Sequence, residues 1–263
     1  MEFNADTPTS LLEASVIQWQ WKEDVFPECD QFNGIHEGLV QSWKDIFPKK
    51  GEIHFAGALE NNEDTGTLQY LASTAMEAGF STRVLDMQAL DLQNGRFFDP
   101  AGELVNRCFK LYPWEWMVDE SPDGCLAEME WLEPIWKLVM SNKAILATLY
   151  ELFPDSPYVL PCYLSRPRSG LFCKKPVFSR EGHNVSVVDI RDWEEYVRIA
   201  ETEGDYNTGA YVYQEYAEPT AYSGRYPVIG SWIIGGEAAG IGIRENRMEV
   251  TDNLSEFVPH IIG

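Results

Sequence analysis

The sequence predicts an α/β region in its first half and an antiparallel α+β region in its second, and three observations lead there. A strand, a helix and a strand succeed one another between Glu52 and Met87. Asn94-Gly95 separates two alternating segments. After Pro154 the chain breaks into short β-rich stretches punctuated by Gly and Pro. With 263 residues, 44% of them apolar and 13% aromatic, the chain is long enough to bury a real core.

Each element has its own signal. Leu11, Leu12, Val16 and Trp19 recur at helical spacing behind the capping chemistry of Thr7-Pro8-Thr9, so Thr9 to Asp24 reads as a helix. A second helix is expected over Gly34 to Phe47, stopped by Pro48. Glu52 to Leu59 is rich in β-formers, Thr67 to Ala78 is helical with Gly79 as its cap, and Ser81 to Met87 is a further strand. That order is a βαβ unit and implies a parallel pair. Asn94-Gly95 signals a hairpin, and a strand follows near Cys108 to Tyr112. Glu128 to Val139 and Asn142 to Leu152 read as helices. Beyond them Tyr158 to Leu164, Leu171 to Phe178, Asn184 to Asp189, Ala210 to Tyr216, Val228 to Ile234 and Ala238 to Arg244 read as strands, with one helix near Trp193 to Glu201.

Charge narrows the function classes. Asp and Glu number 42 against 20 Lys and Arg, a formal net charge of −22. Such a field repels polyanions at long range, which argues against nucleic acid and anionic membrane as partners and favours metal ions, amines or a basic protein. The longest apolar runs, such as Ala144 to Leu149, fall far short of the roughly 18 residues that a membrane span needs. The start, Met1-Glu2-Phe3-Asn4, has neither a basic nor an apolar region of a secretory signal. Five scattered cysteines with no CxxC pair suit a reducing cytoplasm, and the four histidines lie at no zinc-ligand spacing.

Four constellations have chemical potential. Ser156 to Arg180 carries five bases and no acid, where uniform scattering would place about four acids, so the window is either selective for an anion or a solvated basic hairpin. Within it, Lys175 on a strand followed by Ser179-Arg180-Glu181-Gly182 in a loop suits an ammonium held on phosphate oxygens. Glu2, Asn4 and Asp6 would share one face of an extended strand and offer hard oxygen ligands suited to Mg²⁺, the alternative being a solvated terminus. Lys143 stands at a helix start, where backbone N–H groups also attract anions, the favoured alternative from local pattern being a surface lysine near a cap. Gly240-Ile241-Gly242-Ile243-Arg244 is a glycine-relieved strand ending in an arginine able to neutralise an oxyanion, or a bulge with an arginine at its rim.

Read in order, Glu2-Phe3-Asn4-Ala5-Asp6-Thr7-Pro8-Thr9, Asn142-Lys143-Ala144-Ile145-Leu146, Lys175-Pro176 with Ser179-Arg180-Glu181-Gly182, Ile229-Gly230-Ser231-Trp232, Gly240 to Arg244, and Thr251-Asp252-Asn253-Leu254-Ser255-Glu256-Phe257 resemble the glutathionylspermidine synthase-like ATP-grasp proteins over essentially the whole chain. The likeness is to the short synthetase-only members, and nothing resembles the cysteine amidase domain that some members carry. The resemblance implies an α+β and α/β chain with an ATP-grasp fold and an interleaved pre-ATP-grasp substrate domain. By it, 1–50 would bring a metal-binding strand and helices, 51–139 the substrate region and 140–263 the nucleotide region.

The resemblance further implies a cytoplasmic ATP-dependent carboxylate-amine ligase working through an acyl phosphate. Its partners would be a peptide-like or amino acid carboxylate and an amine, a polyamine among the candidates, with no nucleic acid or membrane. Glu2 and Asn4 would bind Mg²⁺, Lys143 and Lys175 the ATP phosphates, and Gln214, Glu215 and Tyr216 the adenine. Arg244 would face the transferring phosphoryl group, and Asp6, Thr7, Glu63 and Asp64 the substrates. Phe109-Lys110-Leu111-Tyr112-Pro113-Trp114-Glu115 resembles the family's Trp-Lys-x-x-x-Trp-Glu segment. Family members also place an Arg-x-Asp strand ahead of the Glu-x-Asn strand, and this chain begins at Met1-Glu2, so a truncated ligase is the expectation. An inactive ATP-holding fragment and an acidic, aromatic-rich binding module are the alternatives.

Overall fold

The computed structural model describes residues 1–180, 182–192, 196–206, 209–250 and 255–263. Their contacts divide the chain into two units, one of Asn4–Leu138, Ile229–Ile243 and Val258–Gly263 and one of Met1–Phe3, Val139–Val228 and Arg244–Phe257. These units do not coincide with the successive segments 1–50, 51–139 and 140–263, because the N-terminal helices and the 229–243 stretch pack with the parallel sheet.

The first unit opens with a π-helical turn, Glu13–Ile17, that runs into α1 (Gln18–Val25), followed by α2 (Ile35–Ile46). Next come β1 (Glu52–Gly57), α3 (Asn62–Glu77) and β2 (Ser81–Asp86), the expected βαβ unit, with β1 and β2 parallel from Glu52↔Ser81 to Gly57↔Asp86. The hairpin β3 (Asp91–Gln93) and β4 (Arg96–Phe98) turns on Asn94 and Gly95, both at positive φ as a two-residue turn requires. It is joined by β5 (Leu104–Val105), and the chain returns through β6 (Arg107–Leu111), α4 (Trp114–Glu120), α5 (Pro122–Cys125) and β7 (Glu130–Leu132), after which α6 (Lys137–Ser141) runs across the division into the second unit. The strands order as β2-β1-β6-β7, all parallel. Glu128 to Val139 is therefore not one helix. Trp131 alternates out of a short strand into a buried aromatic cluster with Phe97 and Trp114, and tertiary packing overrides the helical periodicity.

Both faces of this sheet are covered, which is why its central strands are buried along nearly their whole length. One face puts Ile53, Phe55, Phe109 and Leu111 against Leu68 and Leu71 of α3 and Trp43 of α2. The other puts Ala56 and Cys108 against Leu85, Phe97, Trp114 and Trp131. Gly57 has no side chain because α3 and β6 close over it: a Cβ there would lie 2.9 Å from Leu68 Cδ1 and 3.0 Å from the Leu111 carbonyl oxygen.

His54 shares the second face and is only 2% exposed, with Glu52 Oε2 at 3.6 Å and Asp99 Oδ2 at 3.9 Å from its Nε2. Burial holds its pKa below the usual histidine value, outweighing the pull of Glu52. The unfolded chain then takes up this proton first. His54's contribution to stability is full above about pH 6.5 and is lost as the pH falls from there through the depressed folded value. Urea unfolding of His54→Gln is expected to lose less stability than the wild type between about pH 7.5 and 5.5. Burial also lowers His260, which leaves a residual slope in the variant; equal losses in both proteins would remove His54 as an origin.

The second unit carries α7 (Ile145–Leu152), β8 (Cys162–Tyr163), β9 (Gly170–Pro176), β10 (Ser186–Ile190), β11 (Tyr196–Glu201) and β12 (Tyr211–Glu215). Its sheet is antiparallel with order β11-β10-β9-β12-β8, and α7 sets Leu146 and Ala147 against Cys162 and Val212. The helix expected near Trp193 to Glu201 is instead a strand over its described part, since Tyr196–Glu201 finds an edge of β10 to pair with; residues 193–195 lie outside the described residues. Last come β13 (Tyr226–Ile234), β14 (Glu237–Asn246) and β15 (Glu256–Val258) in that sheet order. In the first unit, the 229–243 stretch is tied to the helices by Gly34 N donating to the Ala239 carbonyl at 2.7 Å and Gln18 Nε2 donating to the Ile241 carbonyl at 2.9 Å. No helix among the described residues is long and apolar enough to cross a membrane, and the five cysteines are free thiols.

Candidate functional site

In the second unit, two lysines are buried. Lys143 stands just ahead of Ala144, the N-cap of α7, where its backbone N–H donates to the Val177 carbonyl at 2.9 Å, and its side chain is buried. Lys143 Nζ donates to the Ser179 carbonyl at 2.6 Å and pairs with Glu2 Oε1 at 3.0 Å. Lys175 projects from β9 and donates to Gln214 Oε1 at 3.0 Å and to the Met1 carbonyl at 3.1 Å. Exposures of 4% and 9% make both rare among lysines, which are seldom fully buried without a paired charge. Burial lowers the Lys143 pKa, the Glu2 carboxylate opposes that, and Lys175 and Arg180 add to it. Three cations, Lys143, Lys175 and Arg180, thus act on one another here, an arrangement complementary to a multiply charged anion.

The other nucleotide candidates sit in the same unit with different roles. Gln214 is 2% exposed and spends its side-chain oxygen on Lys175. The backbone N–H groups of Glu215 and Tyr216 are taken by the Pro161 and Leu171 carbonyls at 2.7 and 3.0 Å, and the Tyr216 hydroxyl donates to Glu249. Arg244 is half-buried on β14. Glu181 and Thr251-Asp252-Asn253-Leu254, parts of the quoted motifs, lie outside the described residues.

The expectation that Glu2, Asn4 and Asp6 share one strand face is not met. No strand forms over residues 2–6; Glu2 and Asn4 are exposed and belong to different units, while Asp6 is fully buried in the first. The reason is electrostatic. Asp6 Oδ1 accepts from Lys110 Nζ at 2.5 Å and Oδ2 accepts from the Trp114 N–H at 2.8 Å, so this carboxylate caps α4, whose own N-cap, Pro113, offers no side-chain acceptor. Lys110 Nζ also donates to the Tyr112 carbonyl at 2.8 Å and lies 4.3 Å from the Trp114 ring centroid. Among the described residues no group of three or more His, Cys, Asp or Glu is placed to hold a metal ion. The donors present suit Mg²⁺ only as a shared ion, since one exposed carboxylate, Glu2, matches the one or two that Mg²⁺ takes alongside substrate phosphates.

The substrate candidates gather elsewhere. In the parallel sheet the chain first runs outward from β1 to β2 and then back to β6 on the other side, so the direction switches between β1 and β6. Ligands of such sheets bind outside the carboxyl ends of the strands at that point. Asp6 is anchored at the carboxyl end of β6 with Thr7, 8% exposed, beside it. Glu63 and Asp64 stand in the first turn of α3, four residues beyond β1, where Asn61 Oδ1 accepts from the Glu63 N–H at 2.9 Å. All four thus lie at one edge. Missed from sequence were Lys110 as the partner of Asp6 and Gln214 as a side-chain acceptor; the available signal was a lysine between Phe109 and Leu111 on a strand.

The chain so built is related to proteins named as ligases and synthetases. Residues 1–263 match the family model "Glutathionylspermidine synthase preATP-grasp", and the chain belongs to that family. It is 38% identical over 98% of its length to a Haemophilus influenzae protein named "Putative acid--amine ligase", covering 70% of it. It is 28% identical to the Crithidia fasciculata "Trypanothione synthetase" and 26% to the Escherichia coli "Bifunctional glutathionylspermidine synthetase/amidase", over 97% and 99% of this chain. Of those two it spans 43% and 46%, less than half of each. A solved structure from Methylobacillus flagellatus KT titled "Putative gamma-glutamylcysteine synthetase" shares the fold, with TM-score 0.59, 10% identity, and 86% of this chain and 72% of that one covered.

Proposed function

We propose that the chain is an ATP-dependent carboxylate-amine ligase of the ATP-grasp type. The observation that carries this reading is the pair of buried lysines, Lys143 and Lys175, in a family of synthetase relatives. A substrate carboxylate oxygen attacks the γ-phosphorus of ATP and the bond to the β,γ-bridging oxygen breaks, giving an acyl phosphate and ADP. The free amine then attacks the acyl carbon; the C–N bond forms, phosphate leaves and the amine proton passes to solvent.

In this reading Lys143 and Lys175 hold the triphosphate in line, and Arg244 offsets charge on the phosphoryl group in flight. Mg²⁺, when bound, neutralises phosphate oxygens, with Glu2 and Asn4 its protein ligands by family likeness. Thr7 offers a hydroxyl to the acid. Glu63 and Asp64 supply negative charge for the ammonium form of the amine, in keeping with a chain of net charge −22. Gln214 acts as a support for Lys175, and the Glu215–Tyr216 backbone offers carbonyls to the base.

A second reading, ATP held without turnover, is favoured by one specific contact: the Glu2 carboxylate lies on Lys143. The two are separated by following ADP and phosphate release with a panel of amino acid and peptide acids, with and without amines. Release that requires both an acid and an amine is the expected result. ATP binding with no acid- and amine-dependent release would establish the second reading instead.

A further inference from the structure

The acid-free window Ser156 to Arg180 has five bases, and the two-lysine site accounts for only part of them. Neighbouring strand residues point to opposite faces, so Lys174 leaves the sheet on the side away from Lys175. There Lys174 is paired in register with Tyr213, and its Nζ stands 3.9 Å from the centroid of the Tyr211 ring. Arg166 reaches the same face from the segment ahead of β9. Its guanidinium carbon is 4.9 Å from the centroid of the Tyr196 ring, and its Nη2 donates to the Asp192 carbonyl at 3.0 Å. Arg166, Lys174, Tyr196 and Tyr213 wall a cavity of about 60 Å³, floored by the buried Val188 and Ile190.

The composition of this cavity selects for a small anion. Among the described residues no acid lines it, in a chain with 42 of them. Among the described residues neither Arg166 nor Lys174 forms an ion pair, and the contacts they make there are with ring faces and one carbonyl. Arg166 Nε is shielded from water and has no hydrogen-bond partner among the described residues, a desolvated charged donor that an acceptor in the cavity would satisfy. Since one water needs roughly 10–15 Å³ of such space, about 60 Å³ takes some four or five water-sized centres, the size of a carboxylate or phosphate head and too small for a nucleoside. The apolar floor strengthens whatever charge pairing occurs above it.

We infer that this cleft is a second oxyanion site, on the opposite face of the sheet from the two buried lysines, which takes a carboxylate or phosphate group between Arg166 and Lys174. It stands independently of the ligase reading. The test is calorimetric titration of the full chain with inorganic phosphate and, separately, with acetate at low ionic strength, in the wild type and in Lys175→Gln, Arg166→Gln and Lys174→Gln. Saturable binding to the wild type and to Lys175→Gln, weakened about tenfold or more by Arg166→Gln and by Lys174→Gln, is expected. Whichever anion binds more tightly then identifies the source as phosphate or carboxylate. Binding lost in Lys175→Gln but unchanged in the other two, or no saturable binding of either anion, overturns the site. A second measurement needs no variant: the anion is expected to protect Lys174, but not the exposed Lys49, from an amine-acylating reagent. Unchanged labelling of Lys174 would defeat the proposal even where Arg166→Gln fails to fold.

Discussion

Lys143→Ala and Lys175→Ala are each expected to erase about half or more of the thermal stabilisation that ATP with Mg²⁺ gives the wild type. A charge-assisted hydrogen bond is worth about 1.5–3 kcal/mol, so each lysine accounts for roughly ten- to a hundredfold in ATP affinity. At ATP concentrations near a hundred times Kd the wild type gains about 2.7 kcal/mol, a shift of roughly 5–10 °C for a chain of this size. A hundredfold loss of affinity cuts that to about 0.4 kcal/mol, or roughly 1 °C. The depressed Lys143 adds a pH signature. Its ammonium is held below the usual lysine range by burial, and a phosphate oxygen within reach raises it again. ATP binding therefore draws in a proton on the alkaline side and weakens as the pH climbs through the free chain's Lys143 value, an alkaline limb that Lys143→Arg removes. Full ATP shifts in both alanine proteins would dismiss the two lysines as phosphate ligands.

What could be read in the sequence follows from the range of the forces involved. The βαβ unit was legible because Glu52 to Gly57 and Ser81 to Asp86 flank a helix whose start, Asn61 with Glu63 and Asp64, and end, at Gly79, are encoded within a few residues. The Asn94-Gly95 hairpin was legible for the same reason. Glu130–Leu132 and Tyr196–Glu201 were misread because a strand at an edge is decided by the neighbour it pairs with, here β6 and β10, and not by its own periodicity. Within the candidate site, local chemistry left Lys143 and Lys175 open to a surface reading and the family likeness singled them out; both are buried in one unit. The face reading of Glu2, Asn4 and Asp6 failed because alternation presumes a strand, and a lysine 104 residues away claims Asp6. Local pattern identifies a charge; only the fold identifies its partner.

That partner makes the largest stability effect predicted for this chain. Lys110 and Asp6 are both fully buried, and the Lys110 ammonium is satisfied by Asp6, the Tyr112 carbonyl and the Trp114 ring. Lys110→Met leaves the Asp6 carboxylate desolvated with the Trp114 N–H as its remaining named donor, so about 3–5 kcal/mol should be lost in urea unfolding. An ion pair of this kind is costly to break but not irreplaceable. Asp6→Asn keeps an oxygen for the Trp114 N–H while removing the charge, so Asp6→Asn with Lys110→Met should recover most of the loss, leaving about 1–2 kcal/mol. Simple additivity of the two single losses would show that the carboxylate and the ammonium do not depend on each other. The same cycle separates anchoring from substrate contact at Asp6. Both carboxylate oxygens are committed to the fold, so in the rescued double variant an acid- and amine-dependent activity should return with stability, through Thr7 and the α4 start that Asp6 positions. An activity that stays absent in a stable double variant would instead assign Asp6 a direct role toward substrate.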